Sequence, residues 1–381
     1  MSSLHLVIYS ELKQYGGGRE TWLSYFLPNI FGKFDSIKIY AIKKREENEK
    51  NLVESCGLEI TCFYAERISF AKYISSTKKE LKKNIKNGDI CLMVGSIVEG
   101  SISPWLKRKY SKSVKRVIWI RSIAAHEIAN RHGKITYPLI SLMEKRFLST
   151  SNVIITNGND TYNYYKSYLN SKSSSKLIAI PNAVDCEKYK CCRRWDNLNM
   201  IKGVFIGRFE PEKGGKNLID CVSAFNNNYP ELAKHFRIEI WGNGSLSNEN
   251  MPYNMKYCGK AQRNEIPSIL ANSHIEFFLV NQNDKASGGV SHSLLEGLSS
   301  GCVCICSNIT AYNQVISNDN GIIIDLSDSR EFARVINQML SDLRNNDYMS
   351  YFEISKNAVK TAQQYSVEKH IESFISVIGL K

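Results

Sequence analysis

Two segments of this 381-residue chain carry side chains whose types and spacing suit a phosphate ester bearing a diol. The later one reads Ser287-Gly288-Gly289-Val290-Ser291-His292-Ser293-Leu294-Leu295-Glu296 and runs into Gly297-Leu298-Ser299-Ser300-Gly301. A glycine-rich turn leading into a short apolar helix leaves backbone amides free to face an anion. One carboxylate on that helix can accept from both hydroxyls of a ribose. Gly288, Gly289, Val290, Ser293 and Leu294 are therefore candidate contacts to a phosphate or sugar, and Glu296 to a ribose. A structural alternative stays open for each: Glu296 can pair on the helix surface, and His292 can be an ordinary loop histidine.

The earlier segment, Val204-Phe205-Ile206-Gly207-Arg208-Phe209-Glu210-Pro211-Glu212-Lys213-Gly214, sets two cations just beyond an apolar run. Paired cations stabilise a leaving diphosphate, whose charge grows as the bond to it breaks. Arg208 can grip two oxygens while Lys213 acts as a point charge; equally, both can pair with Glu210 and Glu212 on a surface loop. Gly16 and Gly17, with Gly18, follow the first apolar run and precede a helical stretch, where backbone can approach a diphosphate or sugar closely. The GxGxxG spacing of dinucleotide enzymes is absent. His126, in Ile123-Ala124-Ala125-His126-Glu127, follows another apolar run and can hydrogen-bond a sugar hydroxyl or serve only the fold.

Short apolar runs alternating with helical stretches predict parallel α/β layers that position these residues. Strands are expected at 4–9, 36–42, 58–63, 89–94, 116–121, 152–156 and 177–180, then at 201–206, 236–241, 255–258, 275–280, 302–306 and 321–324. Helices fill the gaps, for example 21–31 and 135–148. The length suits two domains: 1–185 as a basic Rossmann-like acceptor-binding domain, 186–199 as a linker without periodicity, and 200–360 as a Rossmann-like nucleotide-sugar domain. The tail 361–381 is expected as a helix that packs back toward the first domain. In such sheets ligands bind beyond the carboxyl ends of the strands, so the two sheets are expected to face a central cleft.

Charge is asymmetric. Residues 1–185 hold 29 Lys+Arg against 16 Asp+Glu, whereas residues 186–381 hold 21 of each, so the whole excess of +13 lies in the first half. Lys78, Lys79, Lys82, Lys83 and Lys86 share a helical stripe, and Lys107, Arg108, Lys109, Lys112, Lys115 and Arg116 follow Trp105. Such a face is either simply solvated or attracted to anionic lipid headgroups or an anionic acceptor. Nucleic acid is disfavoured, since no zinc knuckle, RNP-like aromatic pattern or helix-turn-helix signal occurs. No apolar run reaches the roughly 20 residues of a spanning helix, and the start reads as a buried strand rather than a signal peptide. The eleven cysteines are scattered, so a reducing cytoplasm is expected. Cys302, Cys304 and Cys306 alternate on one strand as small buried residues rather than metal ligands.

In this order the motifs resemble the retaining nucleotide-sugar glycosyltransferases of family 4, over nearly the full length. Gly16-Gly17 resembles that family's glycine loop, Ala125-His126-Glu127 its His-containing loop, and Glu144-Lys145-Arg146 with Val153-Ile154-Ile155-Thr156-Asn157 the helix and strand that follow. Pro181-Asn182-Ala183-Val184-Asp185 is similar to its Pro-Asn-Gly-Val-Asp, and Gly207-Arg208 through Glu212-Lys213-Gly214 to its phosphate-gripping motif. Trp241-Gly242-Asn243-Gly244 resembles its Gly-x-Gly turn and adds Gly207, Gly242 and Asn243 to the donor-binding set. One position departs: the family usually has an acid eight residues before the ribose-binding Glu, where this chain has Gly288. Asp284 is a candidate replacement from the same loop.

The resemblance implies the GT-B architecture and a retaining, metal-independent hexosyltransferase without a cofactor. Its donor would be a nucleotide-diphosphate sugar, with UDP favoured, and its acceptor a glycan or lipid-linked glycan. A role in bacterial surface polysaccharide (O-antigen, capsule or lipopolysaccharide) follows, at the inner face of the plasma membrane. His126, Arg208 and Lys213 would be the catalytic residues. The alternative is a catalytically weak GT-B-fold protein that binds a nucleotide sugar, a glycan or an anionic membrane, for which Gly288 is the best support.

Overall fold

The computed structural model describes residues 2–13, 17–43, 51–66, 69–191, 195–196, 198–281, 289–328 and 330–380. Two compact units divide them. The N-terminal unit comprises Met1–Ala183, Lys285–Gly289 and Val367–Lys381, and the C-terminal unit Val184–Asp284 and Val290–Ser366. Each is an open parallel sheet covered by helices, which bears out the expected α/β class.

In the N-terminal unit seven strands run β1 (Leu4–Val7), β2 (Ile37–Ile42), β3 (Thr61–Ala65), β4 (Ile90–Met93), β5 (Lys115–Ile120), β6 (Val153–Thr156) and β7 (Leu177–Ala179). Their spatial order is β3-β2-β1-β4-β5-β6-β7. The six strands of the C-terminal unit are β8 (Ile201–Ile206), β9 (Phe236–Trp241), β10 (Met255–Gly259), β11 (Ile275–Phe278), β12 (Val303–Ser307) and β13 (Ile322–Ile324). They lie in the order β10-β9-β8-β11-β12-β13. The central strands β1, β4, β11 and β12 are buried along their whole length, as helices on both sides require. The strand order reverses between β1 and β4 and again between β8 and β11, and crossovers diverging there open a crevice at the carboxyl edge.

The strand at 58–63 is displaced. Leu58 and Ile60 pack against the core ahead of the ladder, which begins with Lys38 opposite Thr61. Apolar alternation marks a buried edge segment but not where its pairing starts. The stretch 186–199, expected as a plain linker, carries Tyr189 and Trp195, each 2% exposed or less. Trp195 joins the core of the C-terminal unit, beside Ile201, Phe236 and Tyr351.

The chain's last helix, Val367–Ile378, belongs to the N-terminal unit and buries Val367, His370, Ile371, Phe374 and Ile378. Its anchor is His370. The ring stacks on Trp119 at 5.2 Å, and its Nδ1 lies 2.8 Å from the Pro181 carbonyl oxygen. A carbonyl only accepts, so Nδ1 carries the proton and Nε2 accepts from Trp22 Nε1 at 3.1 Å. The other half of the same segment is also held: Asn182 Oδ1 accepts from Arg121 Nη2 at 2.7 Å. With both ring nitrogens engaged, burial holds the His370 pKa down at about 4, the Pro181 bond opposing and Arg121 adding to the depression.

Acid should destabilise this unit. The unfolded histidine takes a proton near its ordinary value of 6.5, whereas folded His370 resists until about 4. Stability is therefore fully present above 6.5 and is lost as pH falls through that window, by roughly 3 kcal/mol. Burial lowers the pKa of His5 too, so its contribution has the same sign. Gln can donate to Pro181 and accept from Trp22 without titrating. Urea unfolding followed by Trp fluorescence should show a shallower loss between pH 7 and pH 4.5 in His370→Gln; an unchanged slope would assign the acid sensitivity elsewhere.

Candidate functional site

The loop after β8 is fixed by close backbone packing. Gly207 N–H donates to Trp241 O and Phe209 N–H to Asn243 O, both at 3.0 Å, so the ladder between β8 and β9 continues past the sheet edge. A Cβ on Gly242 would lie 1.7 Å from Gly207 O, and one on Gly244 2.0 Å from Phe209 O. Gly242 also has φ of +152°. Only glycine permits that approach, which explains the Trp241-Gly242-Asn243-Gly244 turn. Arg208 is exposed between Gly207 and the buried Phe209 ring.

Lys213 ends the short 3-10 turn Pro211–Lys213 and is half-buried, its N–H bonded to Glu210 O at 3.0 Å. Gly214 follows at φ +85°, where a Cβ would meet Leu279 O at 2.4 Å. Asn217 also donates to that carbonyl, at 2.6 Å. The turn is thus tied to the end of β11, and β11 stops at Phe278 rather than reaching 280. Glu210 accepts from Ser245 N–H at 3.1 Å and from its hydroxyl, which hold its carboxyl below the usual range. Arg208 meets Glu212 at 3.4 Å with both side chains exposed. Such a pair is weak and readily exchanged for a stronger anion.

Glu296 lies in the helix His292–Ser299 between β11 and β12. Leu294, Leu295 and Leu298 on that helix are fully buried, and the Glu296 side chain is only 2% exposed. Its carboxylate accepts from Arg263 Nη2 at 2.5 Å. Burial lowers the Lys188 pKa most and repulsion from Arg263 lowers it further, while attraction to Glu296 and Asp185 opposes them, which places Lys188 close by. Glu296 thus has a guanidinium partner, and Arg263 is a residue that sequence reasoning missed. It follows β10 outside any motif, and only its place beyond a strand's carboxyl end could have flagged it.

Val290 is 2% exposed, and the buried Leu294 side chain belongs to the core, so that residue can offer a ligand only backbone. The Ser293 hydroxyl shares a hydrogen bond with Ser291 at 2.8 Å. Asn243 is exposed. Gly207, Arg208, Lys213, Gly242, Asn243, Val290, Ser293, Leu294 and Glu296 all belong to the C-terminal unit, on connections that leave β8, β9 and β11.

The remaining candidates belong to the N-terminal unit. Gly17 caps the helix Gly18–Ile30 after β1. His126 sits not on a loop but in the first turn of the helix Ala124–His132, its ring 4.9 Å from that of Tyr137 and 5.5 Å from that of Tyr164. Gly289, at φ +88°, donates its N–H to Asp160 Oδ2 at 2.8 Å. Arg19 and the Tyr9 N–H converge on Glu99 Oε1, at 3.0 and 2.9 Å, between the ends of β1 and β4. Gly16, Gly288 and Asp284 lie outside the described residues. Among the described residues no group of three or more His, Cys, Asp or Glu is placed to hold a metal ion, and Cys302, Cys304 and Cys306 are buried thiols.

Comparison with known proteins gives this geometry a context. The chain is 28% identical over 218 residues to the UDP-Gal:alpha-D-GlcNAc-diphosphoundecaprenol alpha-1,3-galactosyltransferase of Escherichia coli, covering 50% of this chain and 54% of that one. It is 23% identical over 179 residues to a phosphatidylinositol N-acetylglucosaminyltransferase subunit of Arabidopsis thaliana, covering 45% of this chain and 38% of that one. The chain thus spans about half or less of the length of these curated relatives. The crystal structure of Anabaena HepE in complex with UDP and glucose superposes over 100% of both chains with a TM-score of 0.74 at 15% identity. That likeness establishes the fold, the two-sheet GT-B architecture. Residues 198–358, which hold Arg208, Lys213 and Glu296, match the glycosyl transferases group 1 family, and the chain therefore carries a group 1 glycosyl transferase domain across that stretch.

Proposed function

We propose that this chain is a retaining glycosyltransferase. It moves a hexose or N-acetylhexosamine from a UDP-sugar to a hydroxyl of a lipid-linked glycan, in the assembly of bacterial surface polysaccharide at the inner face of the plasma membrane. One observation carries the reading. Two cations leave the carboxyl end of β8, held by glycine-only backbone packing, and the connection after neighbouring β11 supplies a buried, Arg-paired carboxylate. A sugar nucleotide needs that combination: positive charge for the diphosphate and a fixed acceptor for the ribose diol. The likeness to the Escherichia coli galactosyltransferase, with its UDP-sugar donor and diphosphoundecaprenol-linked acceptor, supports the substrate class.

In this mechanism Arg208 and Lys213 hold the diphosphate and stabilise the charge that grows as the anomeric C–O bond lengthens. The acceptor hydroxyl attacks the face from which the nucleotide departs, and its proton passes to the departing phosphate oxygen. The two side chains supply the positive charge, so the scheme requires no metal ion. His126 orients the sugar, and Glu296 holds the ribose. Arg263 holds the Glu296 carboxylate in place. The second reading, a weakly catalytic binding protein, is favoured only by Gly288 standing where the resembling family has an acid. Release of UDP without acceptor, measured in a coupled assay, separates the two.

Lys213→Ala should lower turnover by more than tenfold, since one charged contact to a developing anion in a dry site contributes about 3 kcal/mol. Near-normal rates would remove Lys213 from the chemistry. Arg263→Met should act differently, raising the donor KM by about tenfold, or roughly 1.4 kcal/mol, with a smaller change in kcat. Arg263→Lys should restore part of the loss, because it returns the charge without the fork. A change in kcat alone would detach the Arg263–Glu296 pair from donor binding.

A further inference from the structure

Four of the ten large hydrophobic side chains exposed among the described residues fall within one short stretch: Ile135 at 91%, Leu139 at 65%, Leu142 at 67% and Met143 at 42%. Ile135 lies in the 3-10 turn Lys134–Thr136, and the others lie on the helix Tyr137–Ser149 that follows it. Spacings of three and four residues put Leu139, Leu142 and Met143 on one face. The opposite face is anchored. Ser141, Glu144 and Leu148 are buried, Glu144 accepts from Ser96 Oγ at 2.5 Å and Tyr165 OH at 2.8 Å, and Tyr168 OH donates to Ser141. The apolar face therefore belongs to a firmly seated helix.

Exposed charge on this helix and on two of the helices packed against it has one sign; the helix Ala124–His132, also packed against it, carries Glu127, which accepts from Ser122 Oγ at 3.0 Å. Glu144 is the only acid between residues 134 and 149, and it is fully buried, whereas Lys145 and Arg146 are exposed. The helix packs against Ser103–Tyr110, which presents Lys107, Arg108 and Lys109 to solvent, and against Ser171–Ser174, which carries Lys172. After burial, repulsion from Lys107, Lys172 and Arg116 further lowers the Lys176 pKa, so these cations crowd one another. An aqueous protein partner would have to cover the Leu face and neutralise the cations separately. The surface of an anionic bilayer does both, with acyl chains for the leucines and phosphates for the lysines.

We propose that the 135–146 surface docks on anionic phospholipid, with Ile135, Leu139, Leu142 and Met143 entering the boundary between headgroups and acyl chains. The helix lies along the membrane plane. At 13 residues it is about 20 Å long, too short to span. The inference deepens the lipid-linked acceptor reading, on which it rests for its partner class, by naming the element that enters the membrane.

The test uses the full chain with vesicles of phosphatidylcholine alone or with about one-third phosphatidylglycerol, a composition chosen so that surface charge is the only variable. Wild type should sediment with the anionic vesicles, and Leu139→Ser/Leu142→Ser should lose at least tenfold in vesicle affinity. Both positions are exposed, so the double variant should keep the wild-type melting temperature and UDP-sugar-induced stabilisation, which separates this result from failure of the donor site. In a second variant, Leu142→Trp, the emission of the introduced indole should shift to the blue on adding anionic vesicles. Vesicle binding unchanged by the double substitution, or an unshifted emission in Leu142→Trp, would overturn the proposal. So would a wild-type dimer that the double variant dissolves while vesicle binding persists, since the face would then bind a second copy of the chain.

Discussion

The contact between two backbones, at Gly207 and Gly242, is the constraint on which the candidate site depends. Cations on a surface loop would lose most of their useful geometry to side-chain and loop entropy. Here the loop after β8 is stitched to the turn after β9 by two N–H to carbonyl bonds and to the end of β11 through Gly214 and Asn217. Arg208 and Lys213 therefore leave from a frame as rigid as the sheet itself. Arg208 remains exposed, which a charge meant for a ligand requires, and Lys213 is half-buried. Ordering is done by glycine and carbonyl.

A second economy concerns buried carboxylates, which the chain treats in two ways. Glu144 has hydroxyl partners, Ser96 and Tyr165, and burial pushes its pKa upward against their pull. Hydroxyl donors suit a group that anchors a helix and need not stay charged. Glu296 instead has a guanidinium. A guanidinium fork fixes the orientation of a carboxylate, which suits the proposed acceptor of two ribose hydroxyls. The different partners match the different proposed duties, structure for Glu144 and ligand for Glu296.

Much of this was legible in the sequence, because parallel α/β proteins write their strands as apolar runs between helices. Strands such as β5 and β12 lie within a residue of where the runs predict them. Edges were harder. At β3 the apolar alternation of Leu58 and Ile60 reports burial without pairing, and Tyr189 and Trp195 sit in a stretch whose lack of period read as a linker. The residues proposed for phosphate and ribose were visible because glycine spacing and a lone acid in an apolar helix are local patterns. Arg263 was not, since a salt bridge across 33 positions leaves no local trace. His126 was placed on a loop because a strand's end is visible in sequence, whereas a helix start without a capping side chain is not.

The exposed apolar face of Tyr137–Ser149 escaped the sequence for a related reason. Leu139, Leu142 and Met143 look like core residues of an amphipathic helix, and hydrophobic periodicity cannot say which of two faces meets the protein. Glu144 decides it. Sequence pattern alone would put the acid outward and the leucines inward, yet the acid is buried among hydroxyls and the leucines face solvent. Burying a carboxylate while exposing Leu142 inverts the usual preference of water for charge. That inversion is hard to maintain in a protein surrounded only by water. It becomes reasonable where the outer medium of that helix is hydrocarbon bounded by phosphate, the same anionic chemistry for which the surrounding lysines are suited.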